Sequence, residues 1–270
     1  MKINGKIKAE EIIARLNQQP TPEKLLVVFL DDNQQSFGFV QQKKQVAERL
    51  GVSFVIKRIT SNHDQAAVKE LVQQAAADKG TGGIVIQLPL DSRFQINQLI
   101  NQIPPEKDLD VLSRLAVSRL YQEEPHVLPP AVGVVQAILK EMSFDIHDKH
   151  VAVVGAGALV GKPVATWFFG KAPEVSVLDK GSDLGLLKEA DLVVSGTGQA
   201  GLVKPEMLKN GAGFIDFGYG QKNGRISGDL DTAHKAELEK LQFYTPTPEG
   251  TGPILIAKLF ENFYQLNVDN

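Results

Sequence analysis

A lysine, a glutamine and two aspartates stand where the surrounding pattern gives them no obvious work, and together they could move protons. In the segment Phe37 to Leu50, residues Phe39, Val46, Ala47 and Leu50 share one helical face by three- and four-residue spacing, and Lys43 falls within that apolar stripe. Two explanations fit. The side chain can snorkel, burying its methylenes and keeping the ammonium in water. It can instead be held in a cleft, where burial lowers its pKa and suits it to proton transfer or carbonyl polarisation. Gln87 is the one polar group in the apolar run IVIQLPL. At a strand's carboxyl end it could offer an amide to a ligand, or it could be a satisfied buried amide. Asp108 and Asp110 follow in PPEKDLD, where capping and solvation are the ordinary roles of loop carboxylates.

A second group of residues could hold a phosphate. The stretch HVAVVGAGALVGKP opens with a β-branched run, Val151 to Val154, and continues through Gly155, Gly157 and Gly161 into a helix-like segment with Val164, Trp167 and Phe168. Strand, glycine turn and helix make the corner at which a pyrophosphate approaches backbone N–H groups. The third glycine comes one residue later than in the usual G-x-G-x-x-G, and such turns also close ordinary βαβ units. A second run, Val175 to Leu178, ends in Asp179, 24 residues after Gly155, near where dinucleotide folds place the carboxylate that binds a ribose 2′-OH. Further runs, Leu192 to Val194 and Gly213 to Phe217, lead into the small-residue turns SGTGQAG and FGYGQKNG. Strands recurring about every 20 residues, with helical patterns between them, indicate a parallel sheet covered on both faces.

The elements that must position these groups repeat the same alternation from the start of the chain. Lys8 to Leu16 reads as an amphipathic helix, Leu25 to Leu30 as a buried strand, and DDNQQS as a polar turn with Ser36 as N-cap of the next helix. Val52 to Ile59, the helix Asp64 to Ala77, a strand from Ile84 ending at Pro89, and a short helix Phe94 to Ile103 follow. A boundary is expected near Ser113 to Pro130, with Ala131 to Met142 a connecting helix. The chain leaves the second domain through YTPTPEGTGP, a proline-glycine loop expected to line a ligand cleft, and closes with a helix from Ile254 to Leu266. The fold class is therefore α/β. A substrate domain, 1–130 plus 254–270, joins a Rossmann-type dinucleotide-binding domain, 131–253, and the last helix returns to the first domain.

Composition narrows the classes of function. The 270 residues are 43% hydrophobic and 23% charged, with a formal net charge of −3 and no basic block, which argues against a nucleic-acid surface. Cysteine is absent, which removes disulfides, thiolate metal sites and cysteine nucleophiles. The opening MKINGKIKAEEII has no apolar core of a leader, and no run is long enough for a membrane span, so a cytoplasmic protein is expected.

In this order, GGIVIQLPL, PPEKDLD, VVGAGALVGKP, SGDL at Ser227 to Leu230 and TPTPEGTGP resemble the bifunctional methylenetetrahydrofolate dehydrogenase/methenyltetrahydrofolate cyclohydrolase family over nearly the whole chain. The resemblance implies that Lys43, with Ser36 the end points of a S-x-x-Y-x-x-x-K pattern, is the catalytic lysine. It implies that Gln87 serves the same cyclohydrolase step and that Asp110 grips the pterin. By the same token Phe39, Leu88, Pro89, Pro248, Gly250, Gly252 and Pro253 would bind folate, and Gly155, Gly157, Gly161, Lys162, Asp179, Gly196 and Thr197 the nucleotide. The implied partners are tetrahydrofolate derivatives, NAD or NADP, and a second copy in a homodimer, with no metal, nucleic acid or membrane. Departures from the family pattern are Phe39 for tyrosine, Val111 for the glycine after the aspartate, LPPAVG for the PCTP segment, Gly157 for serine and Glu249 for glycine. Leu178 and Asp179 stand where family members hold the NADP 2′-phosphate, which favours NAD unless Lys180 turns inward. Two other readings remain open on the residues: a diverged member that binds nucleotide with little folate chemistry, and a dehydrogenase for another small substrate of shikimate or amino-acid type.

Overall fold

The computed structural model describes residues 1–31, 34–222, 224–233 and 235–267, without the side chains of 34–36 and 222. Along the chain the elements are α1 (Gly5–Leu16), β1 (Leu25–Asp31), α2 (Gln34–Leu50), β2 (Ser53–Ile59), α3 (Gln65–Ala77), β3 (Thr81–Ile86), α4 (Ile96–Ile100), α5 (Arg114–Tyr121) and α6 (Pro130–Glu141). There follow β4 (His150–Val154), α7 (Gly161–Phe168), β5 (Glu174–Leu178), β6 (Leu192–Ser195), β7 (Gly213–Asp216), β8 (Gly220–Lys222), β9 (Arg225–Ser227), α8 (Lys235–Leu238), β10 (Phe243–Tyr244) and α9 (Thr251–Gln265). The chain divides into two compact units. One comprises Glu10–Pro130 with the chain from Ile256, the other Met1–Ala9 with Ala131–Leu255.

The unit carrying Lys43 is built on a parallel sheet in the order β2-β1-β3. β1 is central, with Val27 opposite both Val55 and Ile84. Every residue of β3, and of β1 after Leu25, is buried, which is why Leu26 to Leu30 and Ile84 to Ile86 read as unbroken apolar runs rather than as alternation. Val27, Phe29, Val68, Val72, Ile84 and Ile86 form the centre of its core. The far part of α9 and the residues just after it are bound into this unit by side-chain amides. Asn262 donates to the carbonyls of Leu109 at 2.9 Å and Leu128 at 2.8 Å, and Asn267 donates to that of Gly82 at 3.0 Å.

The other unit holds a five-stranded parallel sheet in the order β10-β7-β6-β4-β5, with β8 and β9 forming a small antiparallel hairpin. From β4 the chain passes to β5 on one side and then returns to β6 on the other. That reversal opens a crevice at the carboxyl end of β4, the place where open α/β sheets bind ligands. The start of the chain belongs to this unit: the Ile3 N–H donates to the Tyr244 carbonyl at 2.9 Å, and the Tyr244 N–H donates to that of Met1 at 2.9 Å.

The α/β class and the alternation of elements are those expected, with local differences: β3 stops at Ile86 rather than Pro89, and the helix expected over Phe94 to Ile103 spans only Ile96–Ile100. Helix α2 begins at Gln34 rather than after a turn, because the glutamines read as loop are good helix formers; the expected cap, the Ser36 side chain, lies outside the described residues. The stretch expected to hold the boundary also contains a helix, α5, capped by Ser113 accepting from the Ala116 N–H. Its Leu115 and Tyr121 face outward, so its apolar residues never formed the stripe that marks a packed helix. Among the described residues no helix is long and apolar enough to cross a membrane.

Candidate active site

Lys43 does not snorkel. It is only 5% exposed, and its Nζ donates to Oε1 of Gln87 at 2.8 Å. The helix face carries it there: Val40, Ala47 and Leu50 on the same side of α2 are buried with it. The ring of Phe39, one turn earlier, lies 5.4 Å from Nζ, within cation–π range. Burial pushes the lysine pKa down, partly offset by the carboxylate of Asp110. Gln87 follows the last residue of β3, and its own N–H still bonds the Phe29 carbonyl at 2.9 Å. Its Nε2 donates to the Leu88 carbonyl at 2.9 Å, so each end of the amide makes one bond within the chain. The amide therefore fixes Lys43 and keeps a second N–H and a second oxygen lone pair. Leu88 precedes Pro89 through a cis peptide bond.

The two aspartates separate cleanly. Asp108 is buried, and its Oδ2 accepts from the N–H groups of Leu112 at 2.9 Å and Ser113 at 2.7 Å. That is a capping role. The carboxylate of Asp110 accepts no hydrogen bond among the described residues. Its pKa is pushed up to about 6, first by burial and then by Asp108, against the pull of Lys43. An acid left unsatisfied beside a buried lysine is available to a ligand's N–H groups. Val111, next in the chain, takes φ 57°, a left-handed conformation that β-branched residues rarely adopt.

In the other unit a cleft of about 500 Å³ is lined by Val154, Gly155, Ala156 and Gly157, by Leu178 to Ser182, and by Gly196, Thr197 and Gln199. Gly155 has φ +92°, and a Cβ on Gly161 would lie 1.7 Å from the Gly155 carbonyl oxygen, so α7 and the turn touch backbone to backbone. A Cβ on Gly157 would meet nothing within 4 Å, so that position opens into free space. Backbone N–H groups, absent side chains and open room suit the pyrophosphate of a dinucleotide. Gly161 and Lys162 begin α7 behind this turn and are not among the lining residues; the Lys162 side chain is exposed. Asp179 stands at the exit of β5, exposed, in a turn where its N–H donates to Ser182 Oγ at 3.0 Å.

Pro248, Gly250, Gly252 and Pro253 lie in this second unit, not in that of Lys43. Gly252 and Pro253 sit in the first turn of α9, and Thr247–Pro248 is a second cis bond. Glu249 takes φ 79° and pairs with Lys6 at 2.7 Å. The loop is tied to the sheet through Thr251, whose Oγ1 donates to the Asp216 carbonyl at 2.7 Å. Sequence reasoning missed Asp216 and Asp229, buried acids at the end of β7 and within the SGDL motif; the only signal was charge inside otherwise apolar or glycine-rich runs. Among the described residues no group of three or more His, Cys, Asp or Glu could hold a metal ion.

Two family models match the chain. One, described as the catalytic domain of tetrahydrofolate dehydrogenase/cyclohydrolase, matches residues 1–110; the other, its NAD(P)-binding domain, matches 129–269. The bifunctional protein FolD of Lactobacillus delbrueckii subsp. bulgaricus is 31% identical over 273 residues, covering 98% of this chain and 96% of the relative. Among solved structures, the FolD enzyme of Campylobacter jejuni superposes with a TM-score of 0.93 at 27% identity, covering 100% of this chain and 99% of that one. The Trypanosoma brucei enzyme, solved with NADP cofactor and inhibitor, gives 0.92 at 26% identity, covering 99% and 97%.

Proposed function

The chain belongs to the tetrahydrofolate dehydrogenase/cyclohydrolase family, and from that membership we propose how its two units divide a two-step reaction. The protein is a bifunctional methylenetetrahydrofolate dehydrogenase and methenyltetrahydrofolate cyclohydrolase that uses NAD(P). A nicotinamide nucleotide, when bound, would supply the hydride acceptor through which 5,10-methylenetetrahydrofolate is oxidised to the methenyl cation. Water then adds to the methenyl carbon, the bond to N5 opens, and 10-formyltetrahydrofolate and one proton are released.

Lys43 is the group placed to handle the proton of the second step. Its lowered pKa gives Nζ a neutral fraction that can take a proton from the attacking water and return it to N5 as the ring opens. Gln87 holds Nζ in position. Asp110, ionised above about pH 6, accepts from N–H groups of the pterin, with Phe39 offering a ring face and Leu88 and Pro89 the adjoining wall. The buried 2.8 Å bond between Lys43 and Gln87, with Asp110 in electrostatic reach, is the observation that carries this assignment.

For the first step, Gly155, Gly157, Gly196 and Thr197 would receive the nucleotide, with Lys162 at the head of α7. NAD is the preferred form. The carboxylate of Asp179 at the β5 exit would repel a 2′-phosphate and accept bonds from a free ribose hydroxyl. A homodimer is proposed with it, because β5 is an outer strand of its sheet and Val177 on it is 43% exposed. Purified protein given methylenetetrahydrofolate with NAD or NADP should reduce NAD faster, and should also hydrolyse the methenyl compound. Reduction of neither nucleotide would overturn the assignment, and light scattering would test the dimer.

A further inference from the structure

Asp229 is fully buried, and its two carboxylate oxygens are treated very differently. Oδ2 accepts from the Ser195 hydroxyl at 2.6 Å and from the Thr197 N–H at 2.7 Å. Oδ1 is buried with no hydrogen-bond partner among the described residues, and it lies against Gly218, where a Cβ would come within 2.2 Å of it. An orphaned buried acceptor destabilises the fold. Burial of that group has a cost that the two bonds to Oδ2 must offset.

What those bonds hold is one wall of the nucleotide cleft. Ser195 ends β6, and Gly196 and Thr197 line the cleft directly after it. A Cβ on Gly155 would lie 3.1 Å from the Gly196 carbonyl oxygen and 3.1 Å from Thr197 Cγ2, so this wall rests on the glycine turn itself. Asp229 is fixed in its turn by Asp216 at the end of β7. Oδ1 of Asp216 accepts from the N–H groups of Gly218 at 2.7 Å and of Asp229 at 3.1 Å, and Oδ2 accepts from that of Leu230 at 2.9 Å. A continuous line of hydrogen bonds thus runs from β7 through the 228–230 loop to the wall of the cleft.

We propose that Asp229 is a positioning residue of the nucleotide site, holding the Ser195–Thr197 turn against the glycine turn so that the cleft is preformed before nucleotide arrives. This rests on the reading of the cleft as the NAD(P) site. Preformed sites bind more tightly because the ordering is not charged against binding. A residue that only stabilises the fold would weaken both ligands together. A residue that shapes this wall weakens the nucleotide selectively, and its bonds can be replaced by another acceptor.

The full-length protein is titrated with NAD and with NADP beside its Asp229→Ala, Asp229→Asn and Ser195→Ala variants. Asp229→Ala should bind nucleotide roughly tenfold or more weakly, the factor carried by one charge-assisted hydrogen bond. Asp229→Asn, whose amide oxygen can accept the same two bonds, should recover to within about threefold of the parent, and Ser195→Ala should fall between them. KM for methylenetetrahydrofolate should move far less than KM for nucleotide. Parent-like affinity in folded Asp229→Ala overturns the proposal, and so does parent-like affinity in Ser195→Ala if the first variant does not fold. Equal losses for folate and nucleotide, with no recovery by asparagine, also overturn it. If the unaltered protein binds neither nucleotide, it is the reading of the cleft that fails.

Discussion

Replacing Lys43 by methionine removes the ammonium while keeping an unbranched side chain of similar length on the buried face of α2. The catalytic consequence should be large. A positioned general acid–base contributes about 10²- to 10⁴-fold, so hydrolysis of methenyltetrahydrofolate should fall by that factor. The structural consequence should be small, because two effects oppose each other. Burial already disfavours the lysine's charge, and methionine relieves that cost. Against it, Oε1 of Gln87 loses its donor, which costs about 1–3 kcal/mol. Asp110 also loses the cation that restrains its pKa, which should rise further above about 6. The assay is the decay of methenyl absorbance, corrected for uncatalysed hydrolysis, run beside a nucleotide titration and a thermal melt. Folded Lys43→Met protein that hydrolyses within roughly tenfold of the parent would refute the assigned role.

Four further outcomes are expected. Asp179→Ser should raise the NADP:NAD ratio of kcat/KM by roughly fivefold to tenfold, since an exposed carboxylate repels a phosphate only through screened Coulomb forces; an unchanged ratio means that Asp179 does not face the ribose. Phe39→Tyr restores the family's hydroxyl beside Lys43 and should speed hydrolysis by roughly twofold to tenfold, the range of one hydrogen bond; turnover with methenyl substrate reads it directly. Gly161→Ala should cost about 1–3 kcal/mol or more by driving a methyl into the Gly155 carbonyl, whereas Gly157→Ser should leave the melting temperature nearly unchanged. Burial raises the pKa of Asp216 to about 7 and that of Asp110 to about 6, so the folded state binds more protons than the unfolded chain between roughly pH 4 and 7. Stability should therefore fall as pH rises through that window, and a chemical-denaturation series on Asp216→Asn should show a flatter profile.

How much of this could be read from residues alone depended on whether a signal was local. The parallel strands were legible because burial on both faces forces continuous apolar runs, as in Leu26 to Leu30 and Val151 to Val154. Lys43 was legible as an anomaly on its helix face, but the spacing could not say whether it snorkelled. That was decided by Gln87, 44 residues away and brought alongside by the pairing of β1 with β3. Asp108 and Asp110 looked alike in PPEKDLD, and only the backbone N–H groups of Leu112 and Ser113 tell them apart. Val111 and Glu249 occupy left-handed conformations without being glycine, so the residue type hid what the backbone does there. The Asp216–Asp229 pair escaped notice because its partners are N–H groups and hydroxyls, which leave no periodicity.

Neither compact body is made from one continuous length of chain. The body with the glycine turn includes Met1–Ala9, which pairs with Tyr244, while the body with Lys43 takes in the chain from Ile256. During translation the first body cannot close its sheet until Tyr244 has emerged, and the second must wait longer for Asn262 and Asn267. Domains that are contiguous in sequence can fold one after the other as they leave the ribosome; here residues 1–9 and the strand that they pair with are far apart along the chain. A gene fragment spanning only 131–253 would likewise lack a segment that pairs with the sheet, and should give a less stable nucleotide-binding protein than one that also supplies residues 1–9.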